Sequence, residues 1–279
     1  MSRHQVVAAS AVLNALLFSM AGAQGVGALL GELSWTEAER RLQETPVVVV
    51  PFGGGAKEHG PHLPMNADQK VMEYLCQQAV DSVDVVVAPP ILHGWFAAFR
   101  GFPGTEVADP DVFEDYVFEV AMSLVRQGVQ RIVFLNTGIA KATGLPISIA
   151  AREIRTQTGT PTLVVSWDDL ETPEMEALGT ELVGGHGGEL ETSIHLYLQP
   201  DLVHMDRAVT DYGDSQSRGY PGYQPGRFSR DSTDPGFSET GILGDPTLAN
   251  AEKGQRAMEI LTEQWLLALR GFSKAATER

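Results

Sequence analysis

One cysteine, Cys76, is all the thiol chemistry in this 279-residue chain, so no intramolecular disulfide can form. Cys76 lies in the helical pattern Val71, Leu75, Val80 with no nucleophile signature around it, and it reads as a small core residue. Positive charge is scarce as well: 20 Lys and Arg face 36 Asp and Glu, a formal net charge of −16. This argues against nucleic acid as a partner, because phosphate binding needs a basic surface. It argues equally against an anionic membrane surface. It does not exclude a metal site, which can be locally positive inside an acidic shell. No Gly-x-Ser-x-Gly elbow is present, so a serine hydrolase has no support. No internal repeat is evident. The apolar stretch at residues 6–20 is too short for a comfortable transmembrane helix. With Arg3 before it and Ala21-Gly22-Ala23 after it, the stretch reads as a secretory signal peptide over residues 1–23. The mature chain, 24–279, is then expected in the periplasm or outside the cell.

What is present is an alternation of strands and helices. A hydrophobic content of 43% is enough for one large domain or two small ones. Ser34 or Thr36 caps a first helix that runs through Leu42, and residues 46–51 enclose an apolar strand. Helical patterns follow over 69–80, 109–128 and 146–157, the last closed by Gly159. Strands are expected over 85–88, 131–135 and 162–166, and a final helix over about 247–269. This order predicts an α/β three-layer sandwich, a mainly parallel sheet with helices on both faces. Residues 209–247, rich in Gly, Ser, Asp, Pro and Tyr, read as a long irregular excursion, a lid or an oligomer contact.

The polar clusters fall after strands, where open parallel sheets place their sites. The richest is Lys57-Glu58-His59-Gly60-Pro61-His62, followed by Asp68. Imidazole and carboxylate ligands together suit a divalent ion such as Zn²⁺ or Mn²⁺. His93, Asn136 and Trp167-Asp168-Asp169 follow later strands. A second sharp motif, Gly184-Gly185-His186-Gly187-Gly188-Glu189-Leu190-Glu191, leads into the apolar helical stretch 194–198. Its glycines allow close backbone approach, and a helix start favours an anion or oxyanion.

These motifs together resemble the creatininase (creatinine amidohydrolase) family. Four stretches carry the likeness in order: 58–68, Phe102-Pro103-Gly104-Thr105, 186–193, and Gly241-Ile242-Leu243-Gly244-Asp245-Pro246 continuing to Gly254. The resemblance implies a metal-dependent hydrolase of cyclic amides and related C–N bonds, an α/β sandwich domain and a homo-oligomer, often a hexamer. It places His59 and Asp68 on metal-ligand positions, with Asp68 bridging, His186 on the position of a catalytic histidine and Glu191 on the accompanying acid. Two departures stand out. The family's Glu-x-His becomes Lys57-Glu58-His59, so Glu58 supplies the ligand carboxylate only if the loop bulges. The central Asn-Gly-His-Gly-Gly-Asn motif becomes Asn136-Thr137-Gly138-Ile139-Ala140-Lys141, with Gly138 in the histidine's place. One ion then remains, or His62, Glu189 or Glu191 completes a rearranged site.

The expected function is hydrolysis of a C–N bond in a small or cyclic amide by metal-activated water, with one or two Zn or Mn ions. Glu58, His59 and Asp68 are the expected ligands, and His186 with Glu191 the catalytic pair. Trp167, Asp168 and Lys57 are expected on the substrate side. The competing expectation is a protein of the same fold that binds a small polar ligand or partner without turnover.

Overall fold

The computed structural model describes residues 26–138, 140–183, 185–213 and 237–274. The expected signal peptide, residues 1–23, lies outside these, as does most of the irregular excursion. In order, the main elements are β1 (Ala28–Leu29), α1 (Trp35–Glu44), β2 (Val48–Phe52), α2 (Ala67–Ser82), β3 (Val86–Val87), α3 (Pro110–Arg126), β4 (Ile132–Asn136), α4 (Ala140–Thr158) and β5 (Thr162–Ser166). Short helices α5 (Trp167–Leu170) and α6 (Pro173–Glu176) come next, then α7 (Glu189–Leu198) and the long α8 (Ala251–Lys274).

The five strands form one sheet in the order β1-β3-β2-β4-β5, with every pair parallel. β2 and β4 pair along their full length, from Val48 opposite Ile132 to Phe52 opposite Asn136. That register sets the two loops that leave their carboxyl ends side by side. The central strands β2 and β4 read as nearly unbroken apolar runs because both of their faces are covered. Val47 and Val49 enter one core with α2, α7 and α8, while Val48, Val50 and Phe52 enter another with α3 and α4. The three-layer α/β sandwich expected from the element order is what the chain forms.

Local chemistry sets the helix ends. Ser34 and Glu37 form a reciprocal capping box at the start of α1. Asp169, not Asp168, closes the equivalent box on Ser166 at the start of α5. The long α8 crosses α7 at Gly254, where a Cβ would collide with the Ser193 backbone carbonyl. Only glycine allows that approach. Trp265 of α8 is fully buried, and its Nε1 donates to the Leu75 carbonyl of α2 at 3.1 Å. α8 thus ties α2 and α7, the two helices that carry site residues, into one layer. Among the described residues no helix is long and apolar enough to cross a membrane.

Candidate metal centre

The site is assembled from the loop after β2, the first turn of α2, the turn after β4 and the segment that enters α7. Asp68 stands in the first turn of α2, where the helix dipole favours a carboxylate. Thr137, just beyond β4, fastens these pieces together, since its Oγ1 lies 3.1 Å from the Phe52 carbonyl and 3.0 Å from that of Asp68.

His59 is completely buried. Its Nδ1 lies 2.8 Å from the Lys57 carbonyl, a contact that requires a proton on Nδ1. Its Nε2 faces Asp68 Oδ1 at 3.1 Å and Glu191 Oε1 at 3.4 Å. A bare ring nitrogen cannot rest against two carboxylate oxygens. Nε2 therefore carries a proton or faces a metal ion in its place, and a backbone-anchored Nδ1–H is the usual support of a metal-binding histidine. His186 stacks on His59, with ring centroids 4.8 Å apart and planes 29° apart. Its Nε2 donates to the Glu58 carbonyl at 2.7 Å, and its Nδ1 is turned to Glu191 Oε2 at 3.9 Å. Glu191 Oε2 in turn accepts from the Gly187 N–H at 2.6 Å. Ligand atoms of His59, His186 and Glu191 lie within 4.8 Å of one another, the spacing of a shared ion.

Electrostatics favour the same conclusion. Burial would pull the His186 imidazole down, but the Glu58 and Glu191 carboxylates hold it above its usual range. Burial would push Asp68 up, but the Lys57 ammonium at 2.6 Å and His59 hold it well below the carboxylate range. Glu191 is likewise held low against its burial by His59, His186 and Lys57. The carboxylates of Glu58, Asp68 and Glu191 thus face one ammonium and two imidazoles. With both rings neutral, two negative charges remain, which one divalent ion balances. A group of buried charges needs such compensation, so the residues present fit a metal ion.

The structure draws the ligand set differently from the sequence reading. Asp68, expected as a bridging ligand, lies beside the His59–His186–Glu191 group, with Oδ1 toward His59 and Oδ2 on Lys57. Glu58, expected as a ligand, turns toward His186: its Oε1 accepts from Gly60 N–H at 2.7 Å and lies 3.3 Å from His186 Nε2. Gly241, where any side chain would collide with that carboxylate, gives it room. His186 and Glu191, expected as a catalytic pair, stand with His59 as candidate ligands. Of the residues considered for a rearranged site, only Glu191 takes part. His62 pairs through Nε2 with Thr192 Oγ1 at 2.8 Å. Glu189 is fully buried and accepts from the backbone of Thr180 and Glu181 and from Lys253, a structural task.

A cavity of about 510 Å³ opens onto this centre. Lys57, Asp68, His186 and Glu191 line it together with Trp167 and Asp168, the residues expected on the substrate side. Trp167 is held by an Nε1 bond to Glu171 at 2.6 Å, and Asp168 is exposed at the mouth. His93 stays outside, in an exposed pair with Glu106. Phe99 and His195 line the cavity and were not singled out in the sequence. Phe99 packs on His186 with centroids 4.5 Å apart, and a phenylalanine in an apolar stretch carries no signal of that role. His195 does carry one, since it lies four residues after Glu191 and so on the same face of α7.

The sequence profile described as creatinine amidohydrolase matches residues 31–269. The chain belongs to the creatininase family. It is 30% identical over 230 residues to the mycofactocin precursor peptide peptidase of Mycolicibacterium smegmatis, covering 79% of this chain and 83% of that one. It is 28% identical over 250 residues to the creatinine amidohydrolase of Pseudomonas putida, covering 84% and 93%. A solved creatininase in a manganese form superposes with a TM-score of 0.73 at 27% identity, over 88% of this chain and 98% of the other. Membership of this family makes the chain a hydrolase of the amidohydrolase type, and the metal dependence read from its motifs is consistent with the centre described above.

Proposed function

We propose that this protein hydrolyses the C–N bond of a small or cyclic amide, with a divalent ion, Zn²⁺ or Mn²⁺, held by His59, His186 and Glu191. The meeting of these three side chains at the wall of a cavity carries the reading. A bound ion of this kind supplies an acidified water and a Lewis acid for the carbonyl. The chain itself supplies the frame. The Lys57 carbonyl fixes the ring of His59, and the Glu58 carbonyl and carboxylate fix that of His186. Phe99, packed on His186, shields that ring from water. Trp167 and Asp168 form the opposing substrate wall. The cavity's size falls in the range of small-molecule sites, about 300–1,000 Å³. Relatives named creatinine amidohydrolase and precursor peptide peptidase support an amide substrate and leave the rest of it to the cavity wall.

The test is metal content by elemental analysis, for the native protein and for His59→Ala, alongside a screen of lactams, cyclic ureides and short peptides. The expected outcome is bound Zn²⁺ or Mn²⁺ and turnover in the native protein, with both lost in the variant. Turnover that survives metal removal would overturn the reading. So would failure to bind either ion after incubation with both.

A further inference from the structure

We propose that the Lys57 ammonium occupies the place of a second metal ion, so that this centre takes one ion per chain and a fixed organic cation completes it. The inference deepens the metal reading above and rests on it. Lys57 is 2% exposed, and its Nζ lies 2.6 Å from Asp68 Oδ2. A lysine is almost never buried this far unless a partner holds it. The two oxygens of Asp68 serve different neighbours: Oδ2 holds the ammonium, and Oδ1 faces His59 Nε2, one corner of the candidate ion. Asp68 thus bridges two cationic positions, and a side chain fills one of them.

Three further observations point the same way. The first is charge. One divalent ion balances the carboxylates of Glu58, Asp68 and Glu191 against Lys57, and a second ion would leave a buried excess of positive charge. The second is the shortage of donors around Asp68 Oδ2. Phe96 and Phe99 hold their rings 5.7 and 5.5 Å from the Lys57 Nζ, which suits an ammonium and offers a metal nothing. The third is Gly138, at the turn after β4. A Cβ there would sit 3.6 Å from Asp68 Oδ2, with every neighbour at ordinary contact distance, and its φ is not in the left-handed region. Neither backbone nor space demands glycine. A donor side chain at 138 would start beside the carboxylate oxygen that Lys57 now holds. Lys57 also lines the cavity, so the same ammonium presents its positive charge to the substrate.

The experiment counts ions per chain after saturation with Mn²⁺ and removal of the excess, for the native protein and for Lys57→Glu/Gly138→His. One ion in the native protein and two in the variant are expected. Two ions in the native protein would overturn the inference, and so would a variant that binds no more than the native chain. Circular dichroism checks that the variant folds. If it does not, Lys57→Glu alone replaces it, which brings a carboxylate donor to the place of the ammonium, and an unchanged ion count there also overturns the inference. A native protein that binds no ion sinks the metal reading of the previous section. A native count of two sinks the inference alone, which keeps the two failures apart.

Discussion

Glu58 and His59 are neighbours in sequence with different tasks in space. His59 aims Nε2 at the candidate ion, whereas Glu58 stands behind His186 and orients its ring. Replacing that carboxylate should therefore weaken the metal without emptying the site. For Glu58→Gln, metal affinity measured by competition with a chelator should fall about 10- to 100-fold, the usual effect of losing an outer partner of a histidine ligand. The melting temperature of the metal-free protein should stay close to native. Complete loss of binding would instead make Glu58 a ligand. The sequence exposed Lys57, His59, Asp68, His186 and Glu191 as site residues, because each stands in a turn-rich polar cluster after a strand or before a helix. It could not assign their roles. Whether residue 57 or 58 reaches Asp68 depends on the direction of each Cα–Cβ bond in an irregular loop, and no periodicity governs that.

At the scale of elements, the α7–α8 crossing is the most constrained contact. Gly254 meets the Ser193 carbonyl, and backbone cannot swing aside as a side chain can. Alanine favours a helix interior by about 1 kcal/mol over glycine, yet the overlap should outweigh this. Gly254→Ala is expected to cost about 1–3 kcal/mol, the range of overpacked sites, read as a lower urea midpoint. Metal affinity should fall with it, because α7 carries Glu191. A variant as stable as native would mean that the crossing can slide. Much of this layer was legible: β5 spans the expected residues, and β2, β4 and α2 lie within two residues of them. β1, the start of α4 and the short helices α5 and α6 were not. β1 has two half-buried residues, too few for any pattern. α4 begins at Ala140, so Pro146 sits inside it instead of opening it. Proline is best tolerated at the first turn of a helix, and a pattern reading places it there. Here the turn after β4 has already started the helix.

For the whole molecule, acid should act through buried imidazoles. Burial pushes His62 and His195 down to about 4 from the ordinary 6.5. Between these values the unfolded chain binds more protons than the folded one, so stability rises with pH across that window. The contribution of the two groups is complete above about 6.5, is lost progressively as pH falls toward 4, and is level below. Urea unfolding of the metal-free protein at pH 7, 5.5 and 4.5 should show a decline on the order of a few kcal/mol. His195→Gln should decline less. Equal slopes for native and variant would rule out His195 as a source. The anchoring of α7 by α8 has a further meaning during synthesis. His59 and Asp68 leave the ribosome early, His186 and Glu191 late, and the helix that seats Glu191 comes after all of them. Until residues 251–274 have been made, α7 lacks its most extensive packing partner, so the nascent chain carries its ligands before the layer that seats Glu191 is complete.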